Sequence, residues 1–215
     1  LLTKEPWAYE GGIGQLAGVA LRLRHRMIPF LYSCNHRTAT EGLALCEPLY
    51  YQYPECGESY RYPNEYRFGQ QFLVAPVTEH SRRNGVSETP VWLPEGVWTD
   101  FFTGDIYRSG KGGREFTAVR PPDSIPVFAE AGAVMVCSDD QGNTCENPHA
   151  LEITVWNGNG GFRLYEDRED GAECLTVIGT SCDEQTGTQT VTIRTEGDRS
   201  VLPTDRRLSL RFPRR

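Results

Sequence analysis

Two short β-rich runs set the limits on what this chain can fold into. Phe68-Gly69-Gln70-Gln71-Phe72-Leu73-Val74-Ala75-Pro76-Val77 is answered downstream by Val91-Trp92-Leu93-Pro94-Glu95-Gly96-Val97-Trp98-Thr99-Asp100-Phe101-Phe102-Thr103-Gly104. Each is dominated by aromatic and apolar residues and closed by Gly or Pro, the pattern of strands and a hairpin. The same punctuation continues along most of the chain. Its 22 glycines and 14 prolines in 215 residues exceed the usual combined share of about 12% and favour many turns between many short strands.

Residues 13–40 follow a different period. Leu16, Val19, Ala20, Leu23, Met27, Phe30, Leu31 and Cys34 recur at spacings of three and four, which predicts a helix with one apolar stripe. Pro29 inside that stripe removes a backbone donor and predicts a kink or a split into two helices. Gly42 is the expected terminator. From Leu43 onward short alternating runs take over, with strands expected over 45–53, 71–77, 86–93, 97–101, 115–119, 127–129 and 133–136. The polar stretch from Ser138 to Thr144 reads as a linker or long loop between two sheet units. Strand patterns resume at 151–156, 161–165, 190–194 and 207–212, the last two alternating as half-buried antiparallel strands do. Sheets of this kind close into sandwiches, because a lone sheet leaves one apolar face wet. The expected fold is therefore mainly β, a kinked N-terminal helix followed by two antiparallel β-sandwich units. Its expected divisions are residues 1–44, 45–137 and 138–215.

Charge and cysteine content narrow the function. A net charge of −7 argues against a nucleic-acid partner, which selects a clustered basic face. The run Arg22-Leu23-Arg24-His25-Arg26 points in several directions on a helix and reads as a solvated or ion-paired surface. No stretch approaches the roughly 18 apolar residues that span a bilayer, so no membrane partner is expected. The start at Leu1-Leu2-Thr3-Lys4-Glu5 resembles no signal peptide and looks like a cut inside a larger protein. Seven cysteines, with no Cys-x-x-Cys pair and no histidine at ligand spacing, fit reduced thiols in a cytosolic protein. The equal spacings Cys137/Cys145 and Cys174/Cys182 leave bridges between adjacent strands open. No cofactor and no metal are expected.

Five ordered segments resemble glycoside hydrolase family 31, which contains α-glucosidases and α-xylosidases. Leu23 to Tyr32 is similar to the last barrel helix of that family, with its Leu-Arg-x-x-x-x-Pro-Tyr-Leu-Tyr pattern. Gly42 to Pro54 resembles the strand entering the first sandwich, and the pair of runs at 68–104 resembles the segment that follows the barrel. Ser124 to Val134 resembles the end of that sandwich, and Phe162-Arg163-Leu164-Tyr165-Glu166-Asp167 with Gly171 the Leu-Tyr-Glu-Asp-Asp-Gly turn of the second. The chain departs from the pattern at Glu47, where the family often has Arg, and at the inserted Arg168-Glu169.

The resemblance implies retaining α-glycosidases built on a (β/α)8 barrel, with one aspartate as nucleophile and another as general acid/base. Retention needs two carboxyl groups about 5–5.5 Å apart, held at the C-terminal ends of barrel strands. In the family both precede the last helix, so no catalytic residue is expected in this chain. The implied partners are an upstream catalytic barrel and the carbohydrate substrate of the whole enzyme.

Two further readings compete. Tyr50, Tyr51, Tyr53, Tyr60, Tyr62 and Tyr66 cluster around a Pro-rich loop. Aromatic faces of this kind fill a core or stack on sugar rings, and Tyr60, Tyr62 and Tyr66 are the candidates for sugar contact in a carbohydrate-binding module. Alternatively residues 138–215 form an oligomerisation surface, making a homo-oligomer. The carboxylates Glu166, Asp167, Glu169 and Asp170 before Gly171 fit a hairpin turn better than a Ca²⁺ loop. Glu95-Gly96 likewise fits a tight turn.

Overall fold

The computed structural model describes residues 5–10, 12–79, 85–140 and 147–213. The 13–40 period resolves into two helices, α1 (Ile13–Arg26) and α2 (Ile28–Glu41), broken at Met27. Pro29 occupies the first turn of α2. There its missing N–H costs nothing, whereas inside one continuous helix its ring would collide with the carbonyl of His25. Gly42, at φ 73°, ends α2 in the left-handed conformation that favours glycine.

The two helices differ in burial. α2 buries Pro29, Phe30, Ser33 and Cys34. The Phe30 ring stacks on Phe162 at 4.9 Å and meets Phe72 edge-on at 5.9 Å. Ser33 Oγ donates to the Pro29 carbonyl and accepts from the Tyr165 N–H. α1 buries no residue. Its last turn is tied to the second unit, where Arg26 donates to the Ser138 carbonyl and faces Asp139 and Glu152.

Six strands form the first large sheet: β1 (Cys46–Pro48), β2 (Tyr66–Phe68), β3 (Phe72–Val74), β5 (Gly96–Asp100), β6 (Ile106–Ser109) and β8 (Val127–Glu130). Their order is β1-β2-β3-β8-β5-β6. β4 (Ser87–Leu93) pairs with β7 (Arg114–Arg120) as a second layer. The strand expected over 45–53 stops at Pro48, and the chain turns into α3 (Leu49–Gln52), followed by α4 (Glu58–Arg61). Pro48 offers no N–H to continue the ladder. Nor do Trp92 and Trp98 flank a hairpin. β4 and β5 lie in different layers, and Pro94-Glu95 is the corner between them.

The second unit stacks two three-stranded sheets. One contains β9 (Val134–Ser138), β10 (Ala150–Val155) and β14 (Arg207–Arg211), in the order β14-β10-β9. The other contains β11 (Gly160–Asp167), β12 (Glu173–Cys182) and β13 (Gln189–Gly197). β9 and β10 pair antiparallel, so the polar stretch after Ser138 is the loop of a hairpin, with 141–146 outside the described residues. Strand pairing is antiparallel in both units except at β14, which runs parallel to β10 with Leu208 opposite Leu151 and Leu210 opposite Ile153. Period-two alternation carries no direction, and β14, expected to be half-buried and antiparallel, is an exposed edge strand.

Alternate residues of the large sheet feed two cores. Leu73 and Phe128 join Trp92, Trp98 and Leu93 beneath the β4–β7 layer. Their neighbours Phe72 and Ala129 face the other way, onto Phe30, Cys34, Val134, Val136, Leu151, Ile153 and Phe162. α2, the large sheet and the second unit thus share one continuous apolar core. Gln71 stitches the same joint: its side chain accepts from Val134 N–H and donates to the Gly161 carbonyl.

The cysteine spacings do not correspond to bridges. Cys174 and Cys182 stand at opposite ends of β12, about 26 Å apart at 3.3 Å per residue, far beyond the roughly 7 Å a disulfide spans. Both are free, as is the buried Cys137, whose expected partner Cys145 lies outside the described residues.

Candidate functional site

The tyrosine-rich loop is folded by α3 and α4, which separate the three candidates for sugar contact. Tyr60 is exposed and stacks on Tyr50 at 5.5 Å, its hydroxyl donating to the Pro54 carbonyl. Tyr66 lies half-buried in β2, between Pro48 and Val74, and burial raises its hydroxyl pKa. Tyr62 packs against the core under β4 and β7 and forms one wall of a cavity of about 320 Å³. Burial raises its hydroxyl pKa, with Glu115 adding to the effect. Tyr53 is spent on packing, its ring edge-on to Trp92 at 5.8 Å.

The cavity lies where α4, the turn after it, the end of β3 and the start of β4 meet. Tyr62, Pro76 and Pro90 line it with apolar surface, and Ala75, Thr89 and Glu65 stand buried behind them. Glu65 is the unusual group. One carboxyl oxygen accepts from Trp92 N–H at 2.8 Å, and the other is sealed from solvent with no partner. Burial pushes its pKa up to about 8, the Trp92 hydrogen bond opposing only part of that. Near neutral pH it is a neutral carboxylic acid. At the rim, Arg61 is held by two carboxylates, Glu58 at 2.7 Å and Glu115 at 2.6 Å. Neither Glu65 nor Thr89 carried a sequence signal, since the Trp92 N–H that receives Glu65 comes from 27 residues away.

A second groove, about 570 Å³, runs between α2 and the outer face of β11–β12, with Ser33, His36, Arg37, Arg163, Leu175 and Val177 along it. His36 stacks flat on Tyr165 at 3.6 Å, and Tyr32 donates to Asp167 at 2.8 Å.

The acidic turn is structural in its contacts. Glu166 is buried and chelated by Arg206 through two bonds of 2.6 and 2.7 Å. Asp170 accepts from Ala172 N–H and pairs with Arg168 across the turn that joins β11 to β12. Among the described residues no group of three or more His, Cys, Asp or Glu is placed to hold a metal ion. Burial pushes the Cys34 and Cys137 thiols up to about 11, so neither supplies a thiolate near neutral pH. No helix among the described residues is long and apolar enough to cross a membrane.

Comparison with known proteins agrees with this architecture. Residues 42–135 match the family model of the glycosyl hydrolase family 31 C-terminal domain. The chain is 31% identical over 170 residues to an α-xylosidase of Saccharolobus solfataricus, covering 78% of this chain and 22% of the relative. It is 25% identical over 167 residues to α-glucosidase 2 of Bacillus thermoamyloliquefaciens, covering 76% and 20%. The crystal structure of a family 31 α-xylosidase from Xanthomonas citri superposes with a TM-score of 0.80 at 24% identity, over 97% of this chain and 23% of that one. That likeness shows the fold. The chain spans about a fifth of the length of the curated relatives it matches. It belongs to glycosyl hydrolase family 31, whose C-terminal domain it carries.

Proposed function

We propose that this chain is the non-catalytic C-terminal portion of a retaining α-glycosidase acting on α-linked oligosaccharides, and that it supports an upstream catalytic barrel. In that reading residues 1–44 are the helical tail of the barrel, 45–137 the proximal sandwich and 138–215 the distal one; β9 (Val134–Ser138) straddles the last boundary, since it pairs with β10 in the second unit.

The observation that carries the reading is α1. A helix of 14 residues is marginal in water by itself and draws its stability from packing an apolar face. Yet Ile13, Val19 and Leu21 are each half-exposed or more, and Trp7 just before the helix is 84% exposed. α2 next to it is seated on the sandwiches. Exposed apolar surface of this kind marks a contact with something else, and a barrel wall is what a terminal barrel helix packs on. The buried carboxylates are already engaged, which adds support: Glu166 with Arg206, Asp100 with Arg120 and Glu65 with the Trp92 N–H.

The expected outcome is that the 215-residue chain hydrolyses neither aryl α-glucoside nor aryl α-xyloside, whereas a longer protein carrying the upstream barrel hydrolyses one of them. Turnover by the chain alone would overturn the reading.

A further inference from the structure

The cavity beside Tyr62 is not used by the scaffold reading, and its chemistry selects a ligand. We propose that it is a binding site for a neutral, pyranose-sized polyol, held by apolar contact with Tyr62, Pro76 and Pro90 and by a hydrogen bond to the Thr89 hydroxyl.

Size comes first. About 320 Å³ lies at the lower end of the roughly 300–1,000 Å³ of small-molecule sites, which suits one ring rather than a chain of rings. Charge comes second. The cation at the rim, Arg61, already faces two carboxylates, so it offers no net attraction to an anion. The carboxyl group at the back, Glu65, is neutral near neutral pH and turned to Trp92 N–H, so it offers none to a cation. A charged ligand would lose its hydration there without a counter-charge.

Third is a polar group. Thr89 is only 7% exposed and lines the cavity, so its hydroxyl is open to a ligand there. A ligand hydroxyl that reaches it replaces a hydrogen bond to water. A ring with an apolar face and several hydroxyls satisfies all three conditions, because its carbon face lies on the aromatic and proline surfaces while a hydroxyl reaches Thr89.

The test is a ¹H–¹⁵N titration of the 215-residue chain with methyl α-D-glucopyranoside. Saturable shifts are expected at the amides of Tyr62, Asn64, Glu65, Ala75 and Thr89, with a dissociation constant in the millimolar range. Thr89→Val keeps the shape and removes the hydroxyl, so binding should weaken about three- to tenfold, the usual worth of one neutral hydrogen bond, with the melting temperature unchanged or raised. Asn64→Trp, at the exposed rim, should block entry without touching the core. Absence of saturable shifts, shifts at other residues, or unchanged affinity in Thr89→Val would overturn the proposal. So would inorganic phosphate shifting the same amides more strongly than the glucoside.

Discussion

Replacing Arg206 by alanine should cost the fold about 3–5 kcal/mol, the usual penalty for leaving one member of a buried ion pair behind. Glu166 is 2% exposed, and both of its oxygens are taken by the Arg206 fork at 2.6 and 2.7 Å. The same guanidinium donates through Nε to the Pro148 carbonyl at 2.9 Å, just before β10. Arg206 thus clamps the end of β11 to the segment preceding β10, immediately before the chain enters β14. Without it Glu166 is a buried charge with no partner, and the parallel seating of β14 on β10 loses its anchor. Against a typical total stability of about 5–15 kcal/mol, this is a large fraction. Urea unfolding followed by tryptophan fluorescence should show the loss as a lowered midpoint. Because the pair as a whole contributes far less than its breakage costs, Arg206→Met with Glu166→Leu should recover most of it. A loss under about 1 kcal/mol in Arg206→Ala would contradict the clamp and place Glu166 in solvent.

Glu65→Gln should have the opposite sign, and its size should depend on pH. The carboxyl group titrates near 4.5 when exposed and near 8 in the folded chain. Below 4.5 it is protonated in both states and neutral for stability. Between 4.5 and 8 only the unfolded state releases the proton, so stability falls as pH rises, by up to about 1.4 kcal/mol per unit. Above 8 the loss is complete and constant. Glutamine keeps the acceptor for Trp92 N–H and never ionises. The variant should therefore match the parent chain near pH 4.5 and exceed it by several kcal/mol near pH 8, once the contributions shared by both proteins are subtracted. Parallel stability profiles across that range would mean that Glu65 is ionised in the fold.

Much of the first unit was legible because its signals are local. Pro29 broke the helix where a missing donor and a ring clash required it, and Gly42 ended it. The longest strand, β12, went unseen for an equally local reason. Its inward residues Cys174, Thr176, Ile178 and Thr180 are no more apolar than its outward Leu175 and Val177, so the two faces do not alternate. β6 is short, with Ile106 facing solvent and Ser109 buried. The direction of β14 depends on which strand it meets, 57 residues earlier at Ala150↔Arg207, and no periodicity encodes that. At the candidate site Tyr62 stood out as an aromatic near prolines, but Glu65 and Thr89 acquire their character from burial. The desolvation that makes Glu65 a neutral acid, and the cavity that Thr89 lines, exist only once α4, β3 and β4 have converged.

A supporting role for this chain requires that α1 present its apolar face to a partner that the described residues do not supply. Amide hydrogen exchange on the 215-residue chain measures this directly. α2 should exchange slowly, as a helix whose Phe30 and Cys34 are locked in the shared core, while α1 should exchange close to the rate of an unstructured segment up to the last turn held by Arg26. Protection of α1 equal to that of α2 in a monomeric chain would contradict the account, since the helix would then be stable without any barrel to cover it.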